Sequence, residues 1–203
     1  MGKFARFVLA LPLGAVMMAA ICLTSAAETA FGTFTDTRDG QTYKTVKIGT
    51  QIWMAQNINY KTKGGSWCYY DSLSYCKKYG RLYDWNTAKT VCPKGWKLPS
   101  REDWNRLVAT TGGKEIAGKK LKSKSGWGEY GTDNYGFSAL PGGIRFSGSD
   151  FIGAGYYGYW WTATEVSSDN AYDRNMFYTD SDVYEHLDGK SDGYSVRCVA
   201  DHP

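Results

Sequence analysis

The sequence predicts an α+β domain, and three observations carry that reading. A strand-type hairpin pattern occupies residues 42–56. Two helical stripes follow, at 82–91 and from residue 100 onward. Beyond residue 125, glycine and aromatic residues alternate with polar ones, as in short antiparallel strands. Composition agrees with one compact unit. The chain has 203 residues, 42% hydrophobic and 16% aromatic, enough for a full core and too rich in aromatics for disorder. A net charge of +4, evenly spread, is too small for a nucleic-acid footprint. Two histidines, His186 and His202, leave little material for histidine catalysis or zinc. No repeat at a 20–50-residue period is visible, which argues against a solenoid or propeller.

Taken in order, the chain opens with Lys3 and Arg6, then an apolar run from Phe7 to Leu23, then Ser25-Ala26-Ala27. That is the pattern of a secretory signal peptide over residues 1–27. Residues 28–203 are then a single exported domain, secreted or held at the cell surface. Loss of Lys3 and Arg6 lowers the net charge from +4 to +2. No second apolar run is long enough to span a membrane. Residues 28–40 read as a linker or first turn.

Four cysteines remain after Cys22 is removed with the leader: Cys68, Cys76, Cys92 and Cys198. Export makes disulfides the expected state. Cys68 and Cys76 flank a short polar turn and are expected to pair locally. Cys92 and Cys198 then close a loop of about 106 residues. On the chain-entropy account the short bridge contributes just under ~3 kcal/mol and the long one about 4.7 kcal/mol. The C-x₂-C spacing of a zinc site is absent.

In the hairpin, Val46 and Ile48 share a face, Gly49-Thr50 turns the chain, and Ile52 and Met54 return with Trp53 opposite. Leu82, Trp85, Ala88 and Val91 make the first helical stripe, ended by Pro93. Ser100 is a good N-cap with Asp103 at the third helical position, and Glu102 and Asp103 suit the helix dipole. Trp104, Leu107, Val108 and Thr111 form the second stripe, ended by Gly112-Gly113. Trp53, Trp85, Trp96 and Trp104 are expected in the core. Strands are expected at 136–141, 158–164, 172–178 and 194–200. The intervening loops, 142–157 and 179–193, are long and rich in Gly, Ser, Asp and Tyr. Such loops usually bind something.

The strongest candidate site lies in the first of these loops. Phe151, Tyr156, Tyr157 and Tyr159 are interleaved with glycines, with Arg145 and Asp150 just upstream. Tyrosine offers a rigid face with a polar tip, and aromatic faces stack on sugar rings. Strand alternation sends Trp160 and Trp161 to opposite faces, so one ring is expected inward and the other outward, and Trp161 joins the candidate set. The plainer reading is a Gly/Tyr-rich loop packed on its own domain. Asp180, Asp182, Glu185, Asp188 and Asp192 are rich in oxygen but lack EF-hand spacing, so a solvated acidic loop is expected and no metal. His186 sits there without a G-x-S-x-G elbow, and Glu165 and Asp150 have no spacing that pairs them for glycoside hydrolysis. Neither catalysis nor a cofactor is expected.

Several segments carry a resemblance. They are Asp39-Gly40, Ile52-Trp53-Met54-Ala55-Gln56-Asn57, Gly80-Arg81-Leu82-Tyr83-Asp84-Trp85-Asn86-Thr87-Ala88, and Cys92-Pro93-Lys94-Gly95-Trp96-Lys97-Leu98-Pro99-Ser100. Further on come Tyr135-Gly136-Phe137-Ser138-Ala139-Leu140-Pro141-Gly142-Gly143, Gly158-Tyr159-Trp160-Trp161-Thr162-Ala163-Thr164-Glu165, and Ser195-Val196-Arg197-Cys198-Val199. In this order they resemble the Fibrobacter succinogenes major paralogous domain, over roughly residues 34–201. The resemblance implies an exported or surface protein of bacteria and no settled activity. The order of helix, Cys92, second helix, tryptophans and terminal Cys198 also resembles the C-type lectin-like fold, related to the formylglycine-generating enzyme. There a long disulfide ties the first helix to the last strand. The Glu-Pro-Asn and Trp-Asn-Asp motifs of calcium-dependent sugar binders are missing, and so is a free reactive cysteine pair. The expectation is therefore a non-catalytic recognition domain for a polysaccharide or another surface protein. The alternative is a structural surface or matrix subunit whose aromatic patch is a protein–protein interface.

Overall fold

The structure is a computed structural model that describes residues 1–2, 30–128 and 131–201. The reading of residues 1–27 as a leader, apart from the first two, lies outside the described residues. Strand β1 (Phe31–Thr35) pairs with β2 (Thr42–Ile48), which turns at Gly49-Thr50 into β3 (Gln51–Met54). The predicted hairpin is present, and β1 occupies the stretch expected to be a linker. Trp53 and Met54 lie on opposite faces of β3, yet both are buried, because each face meets a different core cluster.

Strand β4 (Ser66–Trp67) and a 3-10 turn (Tyr69–Asp71) lead into α1 (Leu73–Tyr79). Strand β5 (Leu82–Tyr83) precedes α2 (Trp85–Val91), whose N-cap Asp84 accepts from the Thr87 N–H. Trp85, Ala88 and Val91 form the expected buried stripe, and Leu82 is buried from β5 rather than from the helix. Strand β6 (Trp96–Lys97) follows, where Trp96 is only partly buried against Phe34. Helix α3 (Arg101–Thr110) carries the full capping box. The Ser100 hydroxyl accepts from the Asp103 N–H, and the Asp103 carboxylate accepts from the Ser100 N–H at 2.9 Å. Such a cap is worth about 1 kcal/mol. Helix α4 (Lys114–Leu121) begins directly after Gly112-Gly113, which separate two helices.

The C-terminal part holds β7 (Ile144–Arg145), β8 (Phe151–Ile152), β9 (Tyr157–Glu165), β10 (Asn170–Phe177), β11 (Tyr184–Gly189), β12 (Tyr194–Ser195) and β13 (Val199–Ala200). Two expected strands appear as β9 and β10, and the expected 194–200 strand is split into β12 and β13. The 136–141 stretch is irregular, with one bridge between Lys122 and Ala139. Both long loops contain strands: β7 and β8 pair as a hairpin, and β11 pairs with β10.

The α+β class is thus observed, with four helices among the described residues. Two mostly antiparallel sheets run β1-β2-β3-β13-β6 and β11-β10-β9-β12-β5-β4. Disulfides join Cys68 to Cys76 and Cys92 to Cys198, as the spacing predicted. The long bridge ties the end of α2 to the residue before β13. Arg197, fully buried beside it, donates to Asn57 Oδ1 at 2.8 Å and to the Phe137 carbonyl at 2.5 Å. Burial pulls its guanidinium down to about 9. Among the described residues, no helix is long and apolar enough to cross a membrane.

Strand β9 separates two hydrophobic clusters. Trp160 packs into one with Trp53, Trp104, Trp127 and Phe137, and Trp161 into the other with Tyr43, Tyr83, Trp85 and Tyr194. Both rings have 0% exposure, which corrects the expectation that one of them points outward. Alternation does send them to opposite faces, but β9 is an inner strand with a core on each side. Trp161 stacks on Tyr194 at 4.3 Å and donates its indole N–H to the Tyr83 carbonyl. It supports the site from beneath and presents no ring to a ligand.

Candidate functional site

The remaining candidate residues separate into two neighbouring groups. Tyr156, Tyr157 and Tyr159 lie at and along the start of β9 and join a ladder of rings. Tyr178 meets Tyr156 at 5.1 Å, Tyr157 meets Phe177 at 5.4 Å, Phe177 meets Tyr184 at 5.2 Å, and Tyr159 meets Tyr194 at 5.0 Å. Register explains this assembly. Tyr157 is opposite Phe177 and Tyr159 is opposite Asn175 across β9–β10, and Asn175 is opposite Tyr184 across β10–β11. Opposite residues of an antiparallel pair share a face, so Tyr157, Tyr159, Phe177 and Tyr184 line one side of the sheet, while Tyr156 and Tyr178, just past the strand ends, meet each other, and Tyr156 lies 6.4 Å from Tyr157. Tyr156 is 55% exposed, Tyr178 is exposed, and Tyr157, Tyr159, Phe177 and Tyr184 are half-buried. The ladder is a surface with its lower edge anchored in the core.

The ladder ends in polar groups on the same face. Asp173 pairs in register with Trp161 and with His186, and is fully buried. Its Oδ2 accepts from Asn175 Nδ2 at 3.0 Å, and the same amide nitrogen lies 3.1 Å from His186 Nδ1. Asp188 accepts from the Tyr194 hydroxyl at 2.8 Å and faces Asp173. Burial, and then the Asp188 charge, push the Asp173 carboxyl up to about 8. Beside the Asp188 charge the Asp173 carboxyl thus keeps its proton well above the usual carboxylate range, and its Oδ1 is buried without a hydrogen-bond partner. Burial and these carboxylates also raise the Tyr159 hydroxyl to about 12, so it remains a neutral donor. Asp192 accepts from the Ser147 N–H at 2.9 Å and is raised by burial and by Asp188.

The second group surrounds the β7–β8 hairpin. The Arg145 guanidinium lies 4.0 Å over the Trp67 ring and 5.9 Å from Phe151. Phe151 packs against Tyr69 at 5.3 Å and Tyr70 at 5.6 Å, and Tyr75 completes the cluster. Asp150 is exposed in the hairpin turn, where its carbonyl accepts from the Phe146 N–H. Arg145 and Phe151 thus serve a different surface from Tyr156, Tyr157 and Tyr159. Tyr69, Tyr70 and Tyr75 come from the first disulfide loop and Trp67 from the residue just before it, all far away in sequence. Asp173, Asn175, Phe177, Tyr178, Tyr184 and Tyr194 were also outside the sequence-derived set. One signal for them existed: Asp173 and Asn175 are polar residues two apart in a strand otherwise rich in buried positions.

The acidic stretch 180–192 forms no shared centre. Asp180 accepts from the Asp182 N–H, Glu185 pairs with Arg101 and Arg174, and Asp188 accepts from Tyr194. Among the described residues, no three His, Cys, Asp or Glu side chains converge to hold a metal ion. Glu165 pairs with Lys190.

The Fibrobacter succinogenes major domain matches residues 46–200, more than half of the chain. The chain belongs to that family. Searches of curated proteins and of solved structures return no match. In this member of the Fibrobacter succinogenes major domain family, both groups of rings fall within the matched residues, whereas β1 precedes them.

Proposed function

We propose that this is an exported, non-catalytic recognition domain that binds carbohydrate on the aromatic ladder. One observation carries the reading: a row of partly exposed tyrosine rings ends at fixed hydrogen-bonding groups on the same face of one sheet. Sugars have apolar C–H faces and hydroxyl edges. A site for them needs flat rings beneath and acceptors and donors at the side. Tyr157, Phe177 and Tyr184 supply the first, extended past the strand ends by Tyr156 and Tyr178, and Asp188, His186 and the Tyr159 hydroxyl the second. Export is supported by the leader pattern and by two disulfides. The architecture reads as C-type lectin-like, since a long bridge ties an early helix to the terminal strand segment. Sugar contact would then be metal-independent.

The test is a glycan array and polysaccharide pull-down on the purified protein, with calcium and with chelator, beside Tyr156→Ala and Tyr178→Ala variants. Binding that survives chelator and fails in the variants supports the reading. Absence of binding to every glycan overturns it. A second reading, a structural subunit using an aromatic interface, is favoured by Leu73, Phe146 and Ile152, which are exposed near the hairpin.

A further inference from the structure

The two aromatic groups are joined by one glycine-shaped turn. Gly143 and Gly153 have φ of 72° and 81°, the left-handed region that side chains rarely enter. A Cβ at Gly143 would meet the Tyr69 ring at 2.6 Å, and a Cβ at Gly153 would meet the Tyr157 ring at 2.1 Å. The Tyr69 hydroxyl faces the Ala154 N–H of the same turn. Tyr157, the base of the ladder, therefore lies against one part of the turn, and Tyr69, the base of the second group, against another. Both groups rest on residues 143–156.

The second group is held outward at a cost. Tyr70 and Asp71 have φ of 50° and 53° in succession, neither being glycine. Left-handed residues of this kind persist only when surrounding structure fixes them, and here the Cys68–Cys76 bridge closes the loop around both. The outcome is a Tyr70 ring 62% exposed, with Phe151 and Tyr75 against it. Beside it the Arg145 guanidinium lies 4.0 Å from the Trp67 ring centroid and donates to the Ser149 hydroxyl at 2.9 Å. A half-exposed ring surface bordered by a planar donor and by Asp150 repeats the chemistry of the ladder, rings beneath and polar groups at the edge.

We infer that the disulfide loop is a second sugar subsite, and that the ligand is a linear polysaccharide whose successive units lie on the ladder and on the Tyr70–Phe151 surface. The inference rests on the carbohydrate reading above and extends it from a single sugar to a chain. A single pyranose covers one or two rings, so it cannot occupy both surfaces at once. A chain crossing the 153–156 turn can.

The experiment is calorimetric titration of the purified protein with oligosaccharides of one to six units. The series are β-1,4-glucan, β-1,4-xylan and α-1,4-glucan, chosen to vary linkage and ring substitution. One series should bind with affinity that rises as units are added. Tyr70→Ala should remove that rise, weakening the longest member about 3- to 10-fold, the range set by one lost stacking contact. It should leave the shortest binding member unchanged. Tyr156→Ala should weaken every length. A Cys68→Ser/Cys76→Ser variant, checked by circular dichroism, should behave as Tyr70→Ala does, which guards against a local effect of that one substitution. Affinity that is already complete at one or two units, with Tyr70→Ala silent, overturns the inference and leaves the carbohydrate reading standing. No binding by any series overturns the inference, and with no binding on the glycan array either, the carbohydrate reading falls with it. A protein partner retained by the wild type and lost in Tyr70→Ala, without glycan binding, assigns the loop to a protein interface instead.

Discussion

The two faces of the β9–β10–β11 sheet handle buried charge in opposite ways. On one, Arg174 is buried and ion-paired with Glu185, which Arg101 also grips at 2.7 Å, and Arg174 donates to Asn105 at 2.6 Å. Burial lowers the Arg174 guanidinium, and burial raises Glu185 less than its two arginine partners lower it. On the other face, one residue earlier in the chain, Asp173 is buried beside another carboxylate, and neutralises itself by keeping a proton. The first face carries opposite charges that lock α3 to the sheet. The second carries like charges, a fully buried amide oxygen of Asn175 without a partner, and a ladder of half-exposed rings. A strand optimised only for stability has no need of the second arrangement. Such a concentration of unfavourable groups on one face is what the proposed recognition surface rests on.

The comparison can be broken at several points. Trp161→Ala removes the ring beneath the ladder and should cost about 3–5 kcal/mol, read from urea unfolding. Loss of less than 1 kcal/mol would mean that the ladder does not stand on the core. Arg174→Ala takes away one of two partners of Glu185 and the bond to Asn105, and should cost about 2 kcal/mol, since Arg101 remains. Asp173→Asn should change a slope rather than a level. The native state keeps its proton up to about pH 8, whereas the unfolded chain releases it near 3.8. Stability from this residue therefore falls as pH rises through that window and is flat above it. The Asn variant should lose that fall and be the more stable protein at pH 8. Parallel profiles for variant and wild type would remove the retained proton from the account. Tyr156→Ala, at the exposed end, should shift unfolding by no more than about 0.5 kcal/mol while glycan binding is lost.

What the sequence disclosed was local or arithmetic. Ser100 and Asp103 announce the start of α3 because a capping box is three residues long. Four cysteines at these spacings favour one pairing. The hairpin at 42–56 is written in a short turn flanked by apolar residues. Long-range pairing hid the rest. Nothing near Trp161 says that β12 will cover it, because Tyr194 arrives from more than thirty residues away. Trp67 and Tyr70 meet Arg145 and Phe151 through folding alone, so the candidate loop shows only half of each surface in its own sequence. Helix α4 was missed because only Ala117, Gly118 and Leu121 are buried, a stripe too short to stand out.

The placement of the last strands bears on how the molecule comes together. Strand β13 fills the gap between β3 and β6, and β12 lies between β9 and β5. Each sheet is therefore split until residues 194–200 arrive. A growing chain emerging from the ribosome or a translocation pore cannot complete either layer beforehand, however well its hairpins form. Closure of contacts this distant in sequence is slow. The early strands β3 and β5 must wait with open edges, which are adhesive to other chains. Deleting the last few residues should thus yield aggregation during synthesis, with far less effect on the hairpin and helices taken one at a time.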